Sequence, residues 1–113
     1  MPKPTPLGLR KYNIDQMILK ELSDLESRTI LFSIITQSKL SSQISYENKI
    51  PPSTVYKKLR TLQSLALIHV ERIELINNQK NKFYRSNICE AKICIKKFEP
   101  IVNLIQNNFI TKK

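Results

Sequence analysis

Lys57, Arg60 and Ser64 recur three and four residues apart, inside a stretch that holds no acid between Asn48 and Val70. On a helix turning 100° per residue, these three and Ser53 lie about 140–200° around from Val55. They therefore stand opposite an apolar stripe of Val55, Leu59, Leu62 and Ala66, with Tyr56 on the shoulder. Such a face offers positive charge, hydroxyl donors and one planar ring, and nothing that repels an anion. Lys and Arg so placed can meet guanine edges or phosphates in a groove wide enough for a helix. Pro52, Ser53 and Thr54 come early enough for the helix N-terminus itself to approach a phosphate. A second window without acids, between Leu75 and Cys89, carries Lys80, Lys82 and Arg85. Together the windows hold seven basic residues of a chain whose net charge is +10, whereas residues 1–47 hold six basic and five acidic. A merely solvated helix face would explain either window alone, but not the coincidence of both.

Other chemistries find little support. Cys89 and Cys94 are five residues apart, about 140° on a helix, which is wrong for a shared metal ion. Cys94 reads as a small apolar filler. His69 is the only histidine, so no nucleophile–base pair with a second imidazole can be assembled. One glycine excludes a glycine-rich phosphate loop. Asp15, Glu21, Asp24 and Glu26 read as a solvated run on early helices, well placed for the helix dipole. The expectation is a protein that is not an enzyme, with no cofactor and no metal site.

The chain has 113 residues and a mass of 13.2 kDa, which fits one domain, and 41% hydrophobic residues, which suffice for a core. Its longest apolar stretch, residues 30–35, is interrupted by Ser33 and falls far short of the ~20 residues of a membrane span. Residues 1–12 contain three prolines and no apolar run of a signal peptide. Two cysteines suggest a reducing compartment, so the expected location is the cytoplasm, away from membranes.

Positioning the basic face requires a particular order of elements. Residues 1–12 read as a flexible basic arm. Asn13 and Gln16 have capping-box spacing and open a first helix, and Ser23 and Glu26 open a second near Asp24. The core face of the second is Ile30, Leu31, Ile34 and Ile35, fading at Gln37. Ser41 caps a short third helix to Asn48, with Ile44 inward. Pro52 suits the first turn of a fourth helix over residues 52–65. Residues 67–76 and 82–87 are rich in β-branched and aromatic types and flank Asn77-Asn78-Gln79-Lys80-Asn81, a β-hairpin with a basic tip. Beyond it, Ile88, Ala91, Ile95, Phe98, Val102, Ile105 and Phe109 alternate three and four apart, a heptad seam. This predicts a last helix over residues 89–109, kinked or broken near Glu99 by Pro100, that pairs with a second copy in a homodimer.

Helix, helix, short helix, turn, helix and hairpin in this order resemble the winged helix-turn-helix of microbial transcription regulators of the ArsR and MarR types. The likeness is carried by Ile18-Leu19-Lys20-Glu21-Leu22-Ser23-Asp24 with Arg28-Thr29-Ile30-Leu31. It continues in Ile50-Pro51-Pro52-Ser53-Thr54-Val55-Tyr56-Lys57-Lys58-Leu59 and Leu62-Gln63-Ser64-Leu65-Ala66-Leu67-Ile68. Lys49 departs from it, standing where these motifs usually have glycine. ArsR-type metal sensors carry thiols on the helix before the recognition helix or at the chain ends, and the third helix here has none. The likeness covers about residues 14–88 and implies a mainly α fold with a small β-hairpin, in which residues 13–88 form the DNA-binding domain, while the heptad seam makes residues 89–113 the expected dimerisation helix. It implies a homodimeric, sequence-specific regulator on double-stranded DNA in a prokaryotic cytoplasm. The recognition helix would enter the major groove, and the wing would lie on the backbone or minor groove. A reading of another class keeps the same fold as a protein-interaction module of a transcription or replication assembly, without specific DNA readout. The segregation of charge favours DNA.

Overall fold

Pro6 opens α1 (Pro6–Leu22) in the computed structural model, which describes residues 6–107 and their side chains from residue 13 on. A proline has no N–H to leave unsatisfied in a first turn, so the helix starts ahead of Asn13, which lies within it rather than capping it. Residues 6–12 of the expected arm are thus helical, and residues 1–5 lie outside the described residues. The next helix, α2 (Leu25–Ser33), is capped by Asp24, whose carboxylate accepts the Ser27 N–H at 2.9 Å. The boundary falls where expected, with Asp24 rather than Ser23 as the cap.

Ser41–Asn48 form α3, and Pro52–Ser64 form α4. Between them Lys49 takes the left-handed conformation (φ 56°, ψ 43°), and its N–H reaches the Ser45 carbonyl. Asn48 stays helical and donates its side-chain amide to the Ile44 carbonyl at 3.0 Å. The turn keeps the geometry that glycine would relieve, at a β-carbon-bearing residue.

β1 (Ile68–Ile76) and β2 (Gln79–Ser86) form an antiparallel wing. Asn77 and Asn78 both have positive φ (54° and 64°), as a two-residue turn of this hand requires. The turn is shorter than the expected five-residue tip, so Lys80 and Lys82 stand within β2. Lys39 bridges Tyr84 through two backbone hydrogen bonds of 3.0 and 2.8 Å, tying the α2–α3 connection to the wing. Ile30, Leu31, Ile34, Ile44, Val55, Leu59, Leu62, Leu67 and Ile68 make the centre of the core.

The expected last helix is not formed. Ile88–Lys96 and Glu99–Gln106 are instead strands β3 and β4 of a second antiparallel hairpin, turning at Lys97 (φ 59°) and Phe98. Pro100 costs ~3 kcal/mol inside a helix but is tolerated on an edge strand. Ile93, Ile95, Ile101, Val102 and Ile105 are β-branched and favour a pleated surface. The heptad spacing also contained an alternation, Ala91-Ile93-Ile95 and Val102-Leu104, which is the one realised. The seven residues of the expected seam are dispersed accordingly. Ile88 and Val102 are buried in the domain's own core, and Ala91 packs against it. Ile105 is half-buried, Ile95 and Phe98 are exposed, and Phe109 lies outside the described residues. Asn107, fully buried, closes the hairpin's root by donating to the Ile35 and Ser86 carbonyls at 2.8 and 3.0 Å. Among the described residues, four helices and four strands, the strands of eight or nine residues, make an α+β winged helix with two hairpins, where a mainly α fold with one was expected.

Candidate nucleic-acid interface

Val55, Leu59 and Leu62 fix the rotation of α4 by burying almost completely against α2 and α3. The opposite face must then point outward. Ser53, Lys57, Arg60 and Ser64 are exposed there, Pro52 and Tyr56 are exposed beside that face, and Thr54 is half-buried at the first turn. Arg60 holds its guanidinium 5.9 Å from the centre of the Tyr56 ring, a cation–π distance that limits its freedom before any partner arrives. Lys57, Arg60, Thr61 and Ser64 line one shallow depression along this face.

The wing meets the same face. Tyr56, Arg60 and Gln63 of α4 share a groove with Lys80, Asn81, Lys82 and Tyr84 of β2, floored by Leu40, Ser41 and Ser42. Burial, and secondarily the neighbouring Tyr56, raises the Tyr84 phenol above its ordinary range, so it stays a neutral donor. Gln63, Tyr84, Ser41 and Ser42 were missed by sequence reasoning. Tyr84 could have been found from the strand's alternation, which sets it one residue away from Arg85 and on the other face.

Two cations of the expected clusters are occupied elsewhere. Arg85, which was expected on the DNA backbone, is buried at the root of the wing. Its Nε donates to the Ile35 carbonyl and its Nη1 to the Glu71 carboxylate, each at 2.8 Å. Glu71 sits in a β-bulge between Val70 and Arg72. Lys58 turns from the interface to Asp24, 3.0 Å away. That ammonium, then the Ser27 N–H and hydroxyl, hold the Asp24 carboxyl down at about 2, and the pairing raises Lys58 in turn. Lys49, Lys57, Arg60, Lys80 and Lys82 form no ion pair among the described residues.

The wing is braced independently. Arg72 stacks 3.8 Å from the centre of the Phe83 ring, its register partner, and donates to the Ser38 hydroxyl at 2.8 Å. His69 is hydrogen-bonded through Nδ1 to the Asn87 side chain at the wing's root. Among the described residues no three His, Cys, Asp or Glu side chains converge as metal ligands, and no helix is long and apolar enough to cross a membrane.

No protein-family model matches the sequence, and no curated protein matches it. Among solved structures the chain is similar to NolR from Sinorhizobium fredii, a winged-helix transcription regulator. The two superpose with a TM-score of 0.58 at 15% identity, over 76% of this chain and 81% of that one. At such identity the likeness is one of fold, and the chain has the winged-helix fold that this regulator also has.

Proposed function

We propose that this chain is a homodimeric, sequence-specific transcription regulator of the ArsR/MarR kind, acting on double-stranded DNA in a prokaryotic cytoplasm. The observation that carries this reading is the shared groove, in which Arg60 and Tyr56 of α4 face Lys80 and Lys82 of the wing. A helix face held by its buried side, and cationic on its outer side without ion pairs among the described residues, suits a major groove. Arg60, Lys57, Tyr56 and Ser53 meet base edges, Ser64 lies further along the helix, and Pro52–Thr54 bring the helix N-terminus to a phosphate. Lys80 and Lys82 hold the backbone or the minor groove, which fixes register more than it reads sequence. Arg85 braces the wing from within. The likeness to NolR supports the fold on which this depends. No catalytic step and no cofactor is part of the reading.

The homodimer rests on exposed apolar side chains of α1 and the hairpin packed on it. Met17, Ile95 and Phe98 are 52%, 60% and 74% exposed, apolar surface that a second copy could cover. A gel-shift titration on random duplex at two salt concentrations tests the function. Micromolar binding that weakens steeply with salt is expected. Absence of such binding overturns DNA as the partner and leaves the protein-interaction module.

A further inference from the structure

We propose that the outer edge of β3 is the seam of the homodimer, pairing antiparallel with β3 of a second copy about Ile93. This rests on the homodimer reading above and names the surface that makes it.

The second hairpin is a sheet of only two strands, and among the described residues nothing pairs with the outer edge of β3. α1 packs chiefly against β4 rather than β3. The two-residue turn closes between Lys96 and Glu99, so Lys96, Cys94, Lys92 and Glu90 exchange hydrogen bonds with β4. Ala91, Ile93 and Ile95, the alternate residues, therefore aim their N–H and C=O groups outward. On β4 the equivalent outward row begins at Pro100, opposite Ile95. A proline there removes a donor and blocks that edge, as edge strands often require. The row on β3 has no proline and stays open.

Only registers that set this row against its own copy can form a ladder. Centred on Ile93, Ala91 faces the partner's Ile95 and Ile93 faces the partner's Ile93. On the other side of the sheet Glu90 then faces the partner's Lys96, twice by symmetry, and Lys92 faces the partner's Cys94. Glu90 and Lys96 are both exposed and form no ion pair among the described residues. Other centres fail for stated reasons. At Lys92, two lysines of the same number oppose each other, and at Cys94, Lys92 opposes the partner's Lys96. A centre at Ala91 runs the ladder into the bulge at Cys89, and one at Ile95 runs it into the turn. The chosen register also joins apolar faces. Ile93 pairs with Val102, which belongs to the core, so the face of Ala91, Ile93 and Ile95 continues from the core across the seam. Ile93 and Ile95, now 43% and 60% exposed, gain apolar cross-strand neighbours in a four-stranded sheet.

The test is the oligomeric state of the full chain by sedimentation equilibrium, with Glu90→Lys and Lys96→Glu. Wild type is expected to be a dimer. Each single variant reverses both cross-seam pairs and should weaken dimerisation about tenfold. Mixing the two variants in equal amounts restores Lys–Glu pairs at both ends and should return heterodimers of wild-type strength. A misfolded variant could not be rescued in this way. If both variants dimerise as tightly as wild type, or if mixing rescues nothing, the β3 seam is overturned while the homodimer stands. A wild-type chain that is monomeric at about 100 μM and in its DNA complex overturns the homodimer itself.

Discussion

Arg85 and Lys58 carry the same charge as Arg60 and Lys57, and what separates them is the acid each one meets. Glu71 enters the wing through a bulge and Asp24 stands at the N-terminus of α2, so both captures depend on positions distant in sequence. Arg85→Ala removes the partner of Glu71 and one of the two side-chain donors to the Ile35 carbonyl from a largely buried site. It should lower stability by about 2 kcal/mol in denaturant unfolding, yet leave the salt dependence of DNA binding unchanged. A reduced slope without destabilisation would return Arg85 to the interface. Asp24 makes a prediction about pH. Its folded value, about 2, lies below the ordinary 3.8, so its stabilising effect is complete above about pH 4 and fades as pH falls towards 2. Asp24→Ala also loses the α2 cap and should cost about 1 kcal/mol near neutrality. The gap between the two melting curves should therefore close on acidification from pH 5 to pH 2. A constant gap would mean that the carboxylate's charge contributes nothing.

At the scale of elements, the wing's role follows from where its cations stand. Lys80 and Lys82 lie within β2, on the wall of the groove rather than on a mobile tip. Lys80→Ala should weaken binding by a similar factor on every duplex and reduce the salt slope by about one. Loss confined to one sequence would make Lys80 a base-reading residue instead. The elements carrying this interface were legible in the chain because local signals dictate them. Pro52 opens α4, Val55, Leu59 and Leu62 set its rotation, and Asn77-Asn78 turns the wing. The second hairpin was not legible from periodicity, because Ala91, Ile95 and Val102 satisfy a heptad and an alternation at once. Residue type decided between them. Ile93, Ile95 and Ile101 disfavour a helix, and Pro100, expected to kink or break one near Glu99, stands in a strand just after the turn. The occupation of Arg85 and Lys58 was hidden for another reason. Their acids come from a bulge and a cap, neither of which the spacing of basic residues reveals.

For the whole molecule, the decisive quantity is how many cations one protein surface can give to phosphates at once. The chain is elongated, 59 by 34 by 22 Å, and its charge of +10 is divided between internal ion pairs, the groove and the remaining surface. Lys49, Lys57, Arg60, Lys80 and Lys82 belong to α4, its preceding turn and the wing, and are the cations of those elements without ion pairs among the described residues. Each phosphate neutralised on duplex DNA contributes about −0.9 to the slope of log K against log salt. If all five meet phosphates, one protomer should show a slope of about −4.5, and base contacts by Arg60 or Lys57 would make it shallower. Two protomers bound to adjacent half-sites should roughly double it, to about −9. Equilibrium titrations from 50 to 300 mM salt, followed by fluorescence anisotropy, would measure this directly. A slope near the single-protomer value, with one chain per duplex, would show that the groove binds DNA without dimerisation. A slope near zero would remove phosphate contact altogether, because no arrangement of these cations on a duplex backbone could be indifferent to the counterions it displaces.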